Sequence, residues 1–337
     1  MVRDGTVSGD MYGERIYHDS VTFSQGVGYP NGEGNVWYVD GTNGTTGGNG
    51  KSWGNAWSTI QLAVTAASAG DTIFVTAKAL TDFTGDPTSY AETIIIPNAT
   101  SNLSIIGVSR GKTQGGLPQV KIGTGSTVML TIRAPGCLIA NMGFNGAGST
   151  GGGILLDDDY AAKAAFGTSI INCHFKNCKR HATDGTKGGA INWTSAGNAW
   201  QVLISGNTFY RCITDICLIG TSNTAPQDVI IENNTFSNSP ASTDVNIYSG
   251  GSGFSGGLVI RNNVFGALPA IGSGSVGLYT LLNITGTSSA GMFVDNVFGA
   301  LGTTAGWGDG KAAADIADGI WTARNYSAAG LIVREAT

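Results

Sequence analysis

The chain has 337 residues, with 41% hydrophobic and 12% charged side chains, 53 glycines and a formal charge of −5 from 18 basic and 23 acidic residues. That length suits one long solenoid or two ordinary domains, the apolar content argues against disorder, and the lack of a basic cluster argues against a nucleic-acid partner. No apolar run approaches the roughly 20 residues that cross a bilayer, and the start, Met1-Val-Arg-Asp-Gly-Thr-Val-Ser-Gly-Asp10, lacks the apolar segment of a secretory signal.

Residues 1–34 are Gly-rich, with Tyr12, Tyr17, Phe23 and Tyr29 scattered through them and no periodicity. They are expected to form an arm or anchor. Residues 36–39 read as a strand, and 41–54 as a Gly, Asn and Thr loop. Ser58-Thr-Ile-Gln61 matches a capping box and predicts a short helix over about 58–69. Ile60, Ala63, Val64 and Ala67 give it one apolar face, suited to covering the open end of a stacked core. Gly70-Asp71 stops it, and a strand starts at Ile73. Residues 80–130 are less regular, with strands expected near 103–107 and 120–122.

From Cys137 one spelling recurs: Cys137-Leu-Ile-Ala-Asn-Met-Gly-Phe144, Ser169-Ile-Ile-Asn-Cys-His-Phe175, Val202-Leu-Ile-Ser-Gly-Asn-Thr-Phe209, Val229-Ile-Ile-Glu-Asn-Asn-Thr-Phe236, Leu258-Val-Ile-Arg-Asn-Asn-Val-Phe265 and Met292-Phe-Val-Asp-Asn-Val-Phe298. Five places before each Phe stands a large apolar residue: Ile139, Ile170, Ile204, Ile231, Ile260 and Phe293. Asn recurs two or three places before it, at 141, 172, 207, 233 and 234, 262 and 263, and 296. The steps from Phe to Phe are 31, 34, 27, 29 and 33 residues. A period near 30 with strand alternation and no helical pattern excludes ankyrin, tetratricopeptide and leucine-rich repeats, and the variable step argues against a propeller. What remains is a parallel β-helix with about three strands per turn, its equivalent residues stacked at about 4.8 Å. Asn side chains would ladder at the bends, and the Phe and Ile rows would fill the interior.

These repeats resemble the right-handed parallel β-helix superfamily, which includes pectate lyases, polygalacturonases and phage tailspikes. The stretches Trp37-Tyr-Val-Asp-Gly-Thr-Asn-Gly44, Trp53-Gly-Asn-Ala-Trp-Ser-Thr-Ile-Gln-Leu-Ala-Val64, Gly70-Asp-Thr-Ile-Phe-Val75 and Tyr90-Ala-Glu-Thr-Ile94 resemble the way such solenoids begin. The resemblance covers about 35–300 and implies the fold; both enzymes and inert structural proteins share it. Residues 301–337 break the pattern. Trp307, Ile316, Ile320, Trp321, Leu331, Ile332 and Val333 are expected to close the far end as a C-terminal cap, with a short helix at 312–317.

There are five cysteines. Cys178 and Cys212 each lie three places after a repeat Phe and should stack on neighbouring turns, either bridged or, as the apolar residues elsewhere in that position favour, as buried free thiols. Free thiols imply synthesis in a reducing compartment.

In the resembled superfamily, chemistry sits on the outer face of the solenoid. The relevant strands here are 153–157, 190–194, 215–219 and 244–248. With Ile154, Ile191, Ile216 and Val245 inward, alternation turns Leu155, Asn192, Cys217 and Asn246 outward, followed by Asp157, Thr194, Ile219 and Tyr248. Asp157-Asp158-Asp159, the acidic run, could hold Ca²⁺ through its oxygens, supply a catalytic acid, or be a solvated bend. Asp215 and Asp244 each follow a Thr and are expected to stack one turn apart, perturbing each other's protonation or merely capping bends. Arg180, His181 and Asp184 fall in a loop nearby. His18, His174 and His181 form no metal-type pair. The signature of a polygalacturonase, an Asn-Thr-Asp, an Asp pair and a Gly-His-Gly, does not occur together.

Two functions fit. One is a structural or adhesive protein of a phage particle, a head decoration or tailspike-like protein on the virion surface. It would be anchored to other virion proteins through residues 1–34, bind a cell-surface glycan, and form a homo-oligomer. Resembled spikes make a trimer the expected state, with Leu155, Ile219 and Tyr248 as contacts. The other is a secreted polysaccharide hydrolase or lyase using Asp157–Asp159, Asp215 or Asp244. Neither requires a cofactor beyond possible Ca²⁺, a nucleic acid or a membrane.

Overall fold

The computed structural model describes residues 34–78, 89–109, 116–123, 128–146, 152–157, 165–178, 189–194, 199–212, 214–219, 226–237, 245–250, 256–266, 280–284, 290–298 and 319–327. Their strands form three sheets in which each pairing is parallel and each neighbour comes from the preceding or following turn. Sheet A runs from Val36–Val39 and Thr72–Val75 to Gly291–Val294 and Ile320–Ala323. Sheet C runs from Tyr90–Ala91 to Tyr326–Ser327, and sheet B from Ile94–Ile96 to Thr280–Ile284. From Thr72 to Ile284 the chain visits A, C and B in that order turn after turn, which makes an all-β parallel β-helix of three strands per turn.

The interior consists of vertical columns. In sheet A, Ile73, Ile105, Ile139, Ile170, Ile204, Ile231, Ile260 and Phe293 stand in register, all at most 2% exposed. In sheet C, Phe144, Phe175, Phe209, Phe236 and Phe265 stack with ring centroids 5.1, 5.1, 4.9 and 4.7 Å apart. Strand spacing brings the rings into face contact, so the repeated Phe is a direct consequence of stacked turns.

The bend between sheets A and C separates the two Asn positions that the sequence left merged. The first residue of the bend has positive φ: Asn141, Asn172, Gly206, Asn233, Asn262, Asp295 and Arg324, between 50° and 69°. Asn and Gly occupy this left-handed region at least cost. The second residue turns inward. Asn207, Asn234, Asn263, Asn296 and Asn325 are at most 1% exposed and form a continuous ladder. Each Oδ1 accepts the backbone N–H of the equivalent residue one turn above, at 2.8–3.0 Å. Each Nδ2 donates to a sheet A carbonyl at 2.8–3.1 Å. Met142 and Cys173 hold the ladder position in the earlier turns, so the ladder starts at Asn207. A second positive-φ column, including Asn102, Gly136, Gly167, Gln201, Asp228 and Gly257, marks the bend into sheet A.

Two boundaries differ from expectation. The covering helix spans Ile60–Ala66, not 58–69, and its N-cap is Thr59, whose Oγ1 accepts from Leu62 N. No capping box closes it. The Glu92 carboxylate, brought in by the first turn, accepts from Ile60 N at 3.0 Å and Gln61 N at 2.9 Å, a favourable partner for the positive end of a helix. Gln61 instead accepts from Ile95 N. Ile60, Ala63 and Val64 cover the core as predicted. At the other end, the solenoid continues past residue 300: Ile320–Ala323 pairs with Gly291–Val294, and Asn325 joins the ladder. The repeat spelling does not mark this turn because Ser327 stands where the Phe would be. Trp321 is not core but points outward, 49% exposed. Trp307, Ile316, Leu331, Ile332, Val333 and the expected helix at 312–317 lie outside the described residues, as does the arm 1–33.

Candidate functional site

The candidate face is the outside of sheet B. Register there is set by Ile154, Ile191, Ile216 and Ile247, which stack inward. This corrects the expected alignment in one strand: Val245 pairs with Thr214, and Ile247, not Val245, follows Ile216. Leu155, Asn192, Cys217 and Tyr248 form the middle outward column. It is not an open surface. Leu155 is 8% exposed, and Asn192 and Cys217 are fully buried. Asn192 accepts from Gly189 N and donates to the carbonyls of Gly189 and Ile154, so its amide is a structural brace. A buried Leu155 is also withdrawn from the expected contacts between subunits, while Tyr248 and Ile219 stay half-buried.

The same shift of two residues moves the acids. Asp215 lies level with Asn246, and Asn246 Nδ2 donates to Asp215 Oδ2 at 2.6 Å. The expected stacking of Asp215 on Asp244 is therefore replaced by an Asp–Asn pair, with Asp215 only 4% exposed. Asp244 itself, like Asp158 and Asp159, lies outside the described residues, and so do Arg180, His181, Asp184 and His18. Asp157 is held by Arg133: the guanidinium Nε is 2.9 Å from Oδ2, on a partly exposed edge. Arg133 was missed by sequence reasoning, which began the regular turns at Cys137. Its signal was the strand Val128–Ile132, which carries Arg133 directly after it as Gly152–Leu156 carries Asp157.

Among the described residues no group of three or more His, Cys, Asp or Glu could hold a metal ion. His174 is buried on the outside of sheet C, whereas Asp157 and Asp215 lie on sheet B. All five cysteines are buried free thiols, Cys178 and Cys212 included. Burial pushes the Cys137 and Cys173 thiols up to about 12. Cys212 is raised well above the ordinary thiol range by burial, then by the hydrogen-bonded Cys178 thiol and the charge of Asp215. Those three are not nucleophiles at neutral pH. Among the described residues, the face thus offers one carboxylate paired with an arginine and one buried carboxylate bound to an amide. A glycosidase needs two accessible carboxyls about 5–9.5 Å apart.

No protein-family model matches the chain, and no curated protein sequence matches it either. Among solved structures, Escherichia coli ybhc is similar with a TM-score of 0.56 at 11% identity, over 89% of this chain and 86% of that one. A rice weevil pectin methyl esterase gives 0.43 at 15% identity, over 84% and 81%. ORF18 of Geobacillus virus E2 gives 0.43 at 12% identity, over 78% and 52%. Such identities speak to architecture alone. With its three all-parallel sheets, stacked Phe and Ile columns and Asn ladder, the chain is a right-handed parallel β-helix protein.

Proposed function

We propose that this chain is a structural or adhesive protein on the surface of a phage particle, either decorating the head or serving as a tailspike-like fibre, with no chemistry of its own. The observation that carries the reading is the state of the two candidate acids among the described residues. Asp157 is neutralised by Arg133, and Asp215 is buried against Asn246. At 4% exposure and hydrogen-bonded to Asn246, Asp215 is held away from an external substrate. A stack of ten sheet A strands also makes a stiff rod about 43 Å long, useful as a spacer. In this reading residues 1–34 attach to other virion proteins, copies of the chain assemble as a homo-oligomer, three being the expected number, and a cell-surface glycan is the external ligand. Buried reduced thiols suit synthesis in a host cytoplasm.

The test is the location and copy number of the protein in purified particles, by quantitative mass spectrometry with antibody labelling. Many copies over the head identify a decoration protein, and a few at the tail identify a spike. Complete absence from particles rejects the reading. In parallel, Asp157, Asp158 and Asp159 are replaced together by Ala. Assembly and attachment should survive; loss of a glycan-cleaving activity in that variant would make the protein a polysaccharide-degrading enzyme instead.

A further inference from the structure

The outward columns of the solenoid change character along its length. On sheet C the column that runs through buried Gln119, Gly143 and His174 and half-buried Thr208 and Thr235 continues as Val264, Val297 and Tyr326, which are 43%, 47% and 46% exposed. On sheet A the column through Val259 ends in Met292 and Trp321, 39% and 49% exposed. The two columns flank one bend. On its crest the Arg324 guanidinium donates from Nε and Nη2 to the two Asp295 carboxylate oxygens at 2.6 and 2.7 Å, and Arg261 binds Glu232 at 2.7 Å two turns earlier. Single exposed apolar side chains are ordinary; five in two columns on either side of one bend, with Trp, Tyr and Arg among the ridge residues, have the composition of an interface centre.

We propose that this late-turn ridge is where copies of the chain pack against one another, side by side. Three features select a second copy as the occupant. The exposed side chains repeat at the strand spacing, about 4.8 Å, so they form a comb that meshes with a surface of the same period, and another solenoid of this chain provides one. Among the described residues the ridge carries its charges already paired, Arg324 with Asp295 and Arg261 with Glu232, so an identical ridge meets it without repulsion and offers no excess charge to a polyanion or a basic partner. The patch is also confined to the late turns. The equivalent positions earlier are polar, half-buried or buried, which restricts contact to one zone instead of letting copies slide along the rod. The inference rests on the homo-oligomeric part of the proposed function and not on the virion location.

The experiment is light scattering coupled to size exclusion on the full chain across a dilution series. The wild type should carry more than one copy per particle. Trp321→Glu on sheet A and Val297→Glu on sheet C should each shift it to a single copy, with circular dichroism unchanged. Ile95→Glu, at a 39%-exposed position on sheet B, should leave the assembly intact. An oligomer that persists in both ridge variants overturns the surface while sparing the oligomeric reading. A wild type that is monomeric throughout overturns both. Should one ridge variant fail to fold, the other decides, because they lie on different sheets.

Discussion

The ladder makes a sharp prediction, because two neighbouring asparagines should respond oppositely. Asn263 is fully buried, and its Oδ1 accepts from Asn234 N at 2.9 Å and Asn234 Nδ2 at 3.0 Å. Its Nδ2 donates to Ile231 O and Asn296 Oδ1, both at 3.0 Å. Asn263→Ala leaves the Asn234 N–H buried without an acceptor, at about 1–3 kcal/mol, and removes further bonds worth about 1 kcal/mol each. The expected loss is about 4–6 kcal/mol. Asn262, one residue earlier, has φ of +54° and is exposed. Its role is conformational, and Gly206 fills the equivalent place in another turn. Asn262→Gly should therefore change stability by less than about 1 kcal/mol. Urea unfolding followed by circular dichroism reads both, a shifted midpoint at constant slope reporting stability. If Asn263→Ala stayed within about 1 kcal/mol of wild type, or Asn262→Gly were equally damaging, the ladder would not be what holds the bends.

Phe209→Ala, in the middle of the ring stack, should lower stability by about 3–5 kcal/mol through the cavity it leaves, read in the same assay; a loss below about 1 kcal/mol would show that the stack is loosely packed. Native protein should leave all five thiols unmodified by a thiol reagent and expose all five after denaturation, so a thiol that reacts in the native state would contradict the buried columns. Asp71 sets a pH limit on the N-terminal cap. Burial alone would raise its pKa, but donors from Ser68 N, Trp37 Nε1 and Asn35 outweigh burial and hold it below its ordinary 3.8. Its folded pKa is below its unfolded one, so its contribution is complete above about pH 4 and is lost as pH falls through the folded value. Asp71→Asn should remove that acid limb, and a stability profile identical to wild type below pH 4 would contradict it. Glu92 acts in the opposite sense: burial raises its pKa despite the two helix N–H donors, so its contribution is present below the unfolded value and fades as pH rises through the folded one.

Along the chain, a β-helix writes vertical neighbours as a repeat. Ile139 to Phe293 and Phe144 to Phe265 could be read as columns from spelling alone, because stacking demands the same residue at the same height. Arrangement within the bend could not. Asn233 and Asn234 are alike as letters, and only backbone geometry sends one into the left-handed region and the other into the ladder. Nor could the letters settle sheet B. Its strands follow connections of unequal length, and side-chain direction alternates with a period of two, so a register shifted by two residues preserves every inward and outward assignment. That degeneracy let Asp244 stand where Asn246 belongs. The burial of Asn192 and Cys217 and the Arg133–Asp157 pair depend on which groups lie above and beside them in space. Those contacts come from residues far apart in sequence, and tertiary packing alone determines them.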